Sequence, residues 1–154
     1  MTSSATRTSF MFICVLCAVV TVASAAPKQS GADRARIETI LAAHDRLHPG
    51  LDEYMASVAD DFILMPNRGA LIEGKAAYRR HVLDFYNSGS IRIRHEVVEV
   101  HSFPEVVIAR GRAVGTFTAP DGAVSAFETR NLFIFRRLAD NKLQVWQIIY
   151  NDAA

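Results

Sequence analysis

From Ile91 to Asn151 the chain reads as strand with almost nothing else, and this constrains the fold more than any other feature. Four runs, Ile91 to His101, Val106 to Thr118, Val124 to Arg137 and Leu143 to Asn151, alternate apolar with polar or charged residues. Phe103-Pro104-Glu105, Ala119-Pro120-Asp121-Gly122 and Ala139-Asp140-Asn141 separate them. Breaks that short, rich in Pro, Gly, Asp and Asn, are hairpin connections. The second half is therefore an antiparallel meander. Strands of that length twist and curl the sheet they form.

The first half is helical. Ile37, Ile40, Leu41, His44 and Leu47 recur at spacings of three and four, a single apolar stripe that Pro49-Gly50 ends. A shorter helix with Leu51, Tyr54, Met55 and Val58 on one face stops near Asp60-Asp61. Phe62 to Met65 is a brief strand into the turn Pro66-Asn67-Arg68-Gly69. Gly74 precedes a third helix with Tyr78, Val82 and Phe85 on one side and Ala77 and His81 beside them. Helices first and strands afterwards predict an α+β domain rather than alternating α/β. Three helices laid across a curled sheet leave a cone-shaped hollow, whose inner residues fill a core or line a pocket.

The N-terminus reads differently. A polar start with Arg7 as its only charge leads into the apolar run Phe10 to Val22, then Ala23-Ser24-Ala25. That three-part pattern predicts a secretory signal peptide over residues 1–25, and hence a secreted or periplasmic protein. The run is shorter than the roughly 20 residues of a membrane span, so no membrane association is expected after cleavage. Residues 26–31 read as a polar linker and 32–154 as one domain. Cleavage removes 25 of 154 residues and leaves 129, enough for one core. Both cysteines, Cys14 and Cys17, leave too, and with them any disulfide or thiolate chemistry. Without Arg7 the 17 basic residues become 16, against 16 acidic. That balance lacks the basic excess of a nucleic-acid binder.

Motifs for phosphate binding, nucleophilic elbows and zinc helices are absent, and no cofactor is expected. "GRAVG" at Gly111 to Gly115 lies inside a strand run and marks a bend or a close approach. Of the five histidines, His44, His48, His81, His95 and His101, none shares metal-ligand spacing with a carboxylate on the same face, so no metal site is expected. His95 shares its strand face with Ile91, Ile93 and Val97 and points inward; Arg92, Arg94 and Glu96 point out. Phe127, Thr129, Asn131, Phe133 and Phe135 share another inner face. Trp146 and Tyr150 share a face of the last strand, each an apolar ring with a polar handle. The expected ligand-binding residues are Met65, Tyr78, His95, Thr129, Asn131, Phe133, Trp146 and Tyr150. The candidate catalytic residues are His95, His44, Asn131 and Tyr150. Glu128 and Arg130 are expected to join Arg110, Arg112 and Glu96 in an ionic lattice outside.

The helix ending "ASVADDFILMP", the helix "KAAYRRHVLDF" after a glycine, and the closing "FETRNLFIFRRLADNKLQVWQIIYND" resemble the nuclear transport factor 2-like superfamily, and within it the SnoaL-like and ketosteroid-isomerase-like groups. The resemblance runs from about Arg36 to Asp152. It implies a cone-shaped, cystatin-like α+β fold, a deep pocket and a homodimer. The isomerases of that group use an Asp base with a Tyr and a protonated Asp as oxyanion hole. Carried over, the base falls on Met65 before Pro66, the tyrosine near Ala42 or Ala43, and the acid near Asn131. A thioether takes no proton and an alanine donates no hydrogen bond. Three readings follow. One is a binding domain for a small, mostly apolar molecule. Another is an isomerase, dehydratase or hydrolase with a histidine acid/base, His95 or His44, and with Asn131 and Tyr150 polarising the substrate. The third is a non-catalytic dimerisation module using the sheet's charged outer face.

Overall fold

The computed structural model describes residues 26–46 and 50–153. The expected signal peptide, His48, Leu47 and Pro49 lie outside the described residues. The element order is α1 (Ala26–Asp45), α2 (Leu51–Ala56), β1 (Val58–Met65), β2 (Ile72–Glu73), α3 (Lys75–Asn87), β3 (Ser90–Ser102), β4 (Val106–Thr118), β5 (Val124–Arg137) and β6 (Leu143–Asp152). One curved six-stranded sheet runs β2-β1-β6-β5-β4-β3, and the helices lie to one side of it. The fold is α+β, as the segregation of helices and strands predicts. Among the described residues no helix is long and apolar enough to cross a membrane.

Three boundaries differ from the sequence reading. Residues 26–31 are the first turns of α1 rather than a linker. The second helix ends at Ala56, and Val58 to Asp61, expected to close it, begin β1 instead. Val58, Phe62 and Leu64 are buried while Asp60 and Asp61 are exposed, so strand pairing overrides the helical spacing of Val58. The sheet also has one parallel junction, β1 with β6, between strands far apart in sequence.

Two devices shape the cone. Gly111 and Gly115 let β4 come close to β3: a Cβ would stand 2.5 Å from the Glu96 carbonyl oxygen at Gly111 and 2.1 Å from that of Arg92 at Gly115. At the outer edge of the sheet, α1 closes the free side of β3. Ser30 Oγ donates to the Val100 carbonyl (3.2 Å), and Arg34 donates to the carbonyls of Val97 (2.8 Å) and Val98 (2.9 Å). Val98 is the extra residue where the β3–β4 pairing shifts.

The core lies between helices and sheet. Ile37 and Leu41 of α1, Tyr54 and Met55 of α2, Phe62 and Leu64 of β1, and Phe133, Phe135 and Val145 of the sheet are all buried. Beside it sits a fully buried carboxylate. Asp33 accepts both guanidinium nitrogens of Arg137 (3.0 and 2.7 Å), Ser102 Oγ (2.7 Å) and Arg36 Nη1 (3.0 Å), fastening α1 to β3 and β5. Outside, Arg112 bridges Glu96 (2.7 Å) and Glu128 (3.6 Å), and Arg110 pairs with Glu99 (3.1 Å) rather than extending that pair.

Candidate functional site

The concave face encloses a cavity of about 240 Å³ between the sheet and the helices. Pockets for drug-sized ligands measure about 300–1,000 Å³, so this one is small. Strand pairing sets its layout. His95, Ala113, Thr129 and Asp152 are partners in one row across β3, β4, β5 and β6. Asn131 and Tyr150 pair in the next row, and Phe133, Ile148 and Leu64 in the one beyond. Burial deepens in that order, from partly exposed Thr129 to Asn131 at 6% and Phe133 at 2%. Ile91, Ile93 and Phe127 line the wider end. Polar groups thus form a belt across the middle of an otherwise apolar wall.

The belt centres on His95. Its side chain is 5% exposed, and Nδ1 lies 2.5 Å from Asp45 Oδ1. The other carboxylate oxygen of Asp45 accepts the His95 backbone N–H at 3.0 Å. A carboxylate accepts, so this bond assigns a proton to Nδ1, and in the neutral ring the lone pair is then on Nε2. Asp45 ends α1 and holds both the ring and the strand that carries it. His44, the preceding residue, sets its ring edge-on to His95 (centroids 4.8 Å apart, 83°) and to Tyr54 (4.5 Å, 78°). Burial, the nearby His95 and only partial compensation from Asp45 hold His44 down to about 3, so its imidazole is neutral. Its Nδ1 is buried with no partner.

The tyrosines of the wall are neutral donors, while Asp152 at its edge is a carboxylate that accepts from Asn67 Nδ2. Burial pushes the Tyr78 hydroxyl up to about 12, and the Tyr54 hydroxyl, 3.4 Å away, well above its usual range. Burial also raises Tyr150. Thr129 Oγ1 donates to Asn131 Oδ1 at 2.7 Å. With its oxygen engaged, Asn131 offers its NH₂ to the cavity.

His44, Asp45 and His95 are also the one group among the described residues whose possible metal-ligating atoms lie within 4.8 Å of one another. The 2.5 Å Asp45–His95 contact argues against an ion between them. Ligand atoms about 2.0–2.1 Å from a tetrahedral metal sit roughly 3.3 Å apart. The arrangement is a hydrogen bond.

Comparison with known proteins decides the family. A SnoaL-like domain model matches residues 34–146. The chain belongs to the SnoaL-like domain family. Its fold is shared with solved structures of low sequence identity. A ketosteroid isomerase-like protein from Erwinia carotovora atroseptica superposes with a TM-score of 0.73 at 20% identity, over 83% of this chain and 98% of that one. A nuclear transport factor 2-like protein with a cystatin-like fold from Novosphingobium aromaticivorans gives 0.63 at 16% identity, over 77% and 80%. A nuclear transport factor 2-like superfamily protein from Salmonella enterica gives 0.66 at 11% identity, over 82% and 92%. No curated protein sequence matches the chain significantly.

Within this SnoaL-like domain, Tyr78, His95, Thr129, Asn131, Phe133, Tyr150 and His44 all line the cavity. Two expected residues do not. Met65 gives way to its neighbour Leu64, because β1 turns Phe62 and Leu64 inward. The place before Pro66 is therefore apolar on both counts and holds no base. Trp146 is on the outer face, where Nε1 donates to Asp61 (3.3 Å) and Arg136 lies 4.5 Å over the ring. A bulge explains the reversal. Val145 pairs with Phe135 and Gln147 with Ile134, so Trp146 is an extra residue between them and the alternation slips by one. Asp45 and Asp33 were not expected at all. Their signal was present: Asp33, Ile37, Leu41 and Asp45 are four residues apart and extend the apolar stripe of α1 at both ends.

Proposed function

We propose that this SnoaL-like domain binds a small, mostly apolar carbonyl compound and transfers a proton at the carbon next to the carbonyl. The observation that carries this reading is His95, which lines the cavity and is held from behind by Asp45. His95 Nε2 takes the proton from carbon. The C–H electron pair moves into a carbon–carbon double bond and the carbonyl electrons move onto oxygen. Asp45 stabilises the imidazolium that results, and the NH₂ of Asn131 and the hydroxyl of Tyr150 stand in the next row to receive the developing negative charge. The proton then returns from His95, either to another carbon of the same molecule, which isomerises it, or to a departing hydroxyl, which leaves as water. A histidine suits the task because its ordinary range lies near neutral pH.

Exchange of carbon-bound hydrogen tests this without knowledge of the natural substrate. The probe is 1-indanone in D₂O, followed by proton NMR at its C2 position. Wild-type protein is expected to speed exchange at least about 100-fold over His95→Gln, with Asp45→Asn intermediate. Equal rates for wild type and His95→Gln would make the domain a binder and not a catalyst.

A further inference from the structure

His44 has a different task from His95. It lines the cavity, yet its Nδ1 is sealed against the protein with no hydrogen-bond partner, so Nε2 is the ring nitrogen left to face a ligand. The two tautomers are not equivalent. With the proton on Nδ1, a donor is buried unpaired, and two lone pairs, those of His44 and His95, face the cavity from rings 4.8 Å apart. With the proton on Nε2, only an acceptor is left unpaired on the closed side, and the cavity meets one donor beside one acceptor. Unpaired buried donors are the rarer and costlier of the two.

We propose that His44 carries its proton on Nε2 and donates it as a hydrogen bond to the carbonyl oxygen of the ligand, while His95 Nε2 beside it accepts the hydrogen on the neighbouring carbon. This rests on the carbonyl reading above and sharpens it: the substrate must place an acceptor oxygen and an acidic C–H side by side, as an enolisable ketone or aldehyde does. Burial keeps His44 neutral, which makes it a polarising donor and not an acid. A neutral imidazole can polarise a carbonyl in this way. Proton transfer to His95 leaves the enolate oxygen against the His44 N–H, and no proton need leave His44 at any step.

Two measurements test the assignment. Long-range ¹H–¹⁵N NMR of the full chain, with the rings identified through His44→Gln and His95→Gln, reads the tautomers directly. Nε2–H is expected at His44 and Nδ1–H at His95. In the second, ¹³C-carbonyl 1-indanone and its hydrocarbon analogue indane are titrated into wild type and His44→Phe, which keeps the ring against Tyr54. The ketone should bind about tenfold more weakly to His44→Phe, as for one lost hydrogen bond, and lose its bound carbonyl shift. Indane should bind both equally. Should His44→Phe fail to fold, His44→Gln takes its place and is expected to retain part of the shift. A His44 proton on Nδ1, or equal losses for ketone and hydrocarbon, overturns the assignment and leaves the proposed function standing. If neither probe binds wild type, the carbonyl reading falls and the assignment with it.

Discussion

Removing the Asp33 carboxylate should cost this domain more stability than any change in the cavity. Asp33 is 0% exposed and its partner Arg137 6%, and the two share a bidentate contact with bonds of 3.0 and 2.7 Å. Ser102 and Arg36 complete the shell. Asp33→Ala would leave the Arg137 guanidinium buried without its counter-charge. Breaking one side of such a pair typically costs about 3–5 kcal/mol. For a chain of this size about 1 kcal/mol moves the melting temperature by roughly 3–5 °C, so a fall of about 10–25 °C is expected in a calorimetric scan. The paired replacement Asp33→Leu with Arg137→Met should recover most of it, since apolar pairs of similar volume often substitute for buried ions. The pair also predicts a pH response. Burial pushes the Asp33 carboxyl up, but the bonds from Arg137, Ser102 and Arg36 outweigh it and hold the group below its ordinary 3.8. A depressed folded value means that the contribution is fully present above 3.8 and is lost as pH falls through the folded value. The Asp33→Ala penalty should therefore be constant near neutrality and shrink only below about pH 4. A loss under about 1 kcal/mol at pH 7 would refute the reasoning, as would a penalty that the double replacement does not relieve.

Other expectations concern the cavity wall. Gly115→Ala puts a Cβ against the Arg92 carbonyl and 2.6 Å from Phe127 Cζ; overpacking of this kind costs about 1–3 kcal/mol, read by denaturant unfolding, and an unchanged midpoint would mean that β3 yields freely. Asn131→Leu and Trp146→Phe should part company in the 1-indanone titration. The first should weaken binding while the melting temperature holds, because only the rotatable Thr129 hydroxyl loses a partner; the second should leave affinity unchanged. A binding loss at Trp146 would contradict its outward placement.

The meander was legible because turn chemistry and alternation agree over every run from Ile91 onward. Strand parity placed His95, Thr129, Asn131 and Tyr150 on the concave face. It failed at Trp146, since that residue is itself the bulge, where the alternation slips by one and leaves no mark in composition. Val58 failed for a related reason: it fits a helical face after Met55 and a buried strand position before Phe62 equally well, and pairing with β6 decides. The two carboxylates of α1 were overlooked because acidic residues on a helix are usually solvated. Their burial comes from partners that only the fold supplies, Arg137 104 residues away and His95 50 residues away. The site was thus readable as a lining and unreadable as a chemical pair.

Asp45 does two jobs with its two oxygens, and this couples the pocket to the solubility of the molecule. One oxygen serves the His95 ring and the other the His95 backbone N–H. That N–H belongs to β3, which has a neighbour on only one side. With Ser30 and Arg34, Asp45 occupies backbone groups that an incoming strand would otherwise use. A variant that lost this carboxylate would free the His95 ring and at the same time open a docking place for other chains. Replacement by asparagine keeps an acceptor for the N–H and avoids that hazard, so the edge of the sheet should tolerate an amide at this position better than an alanine.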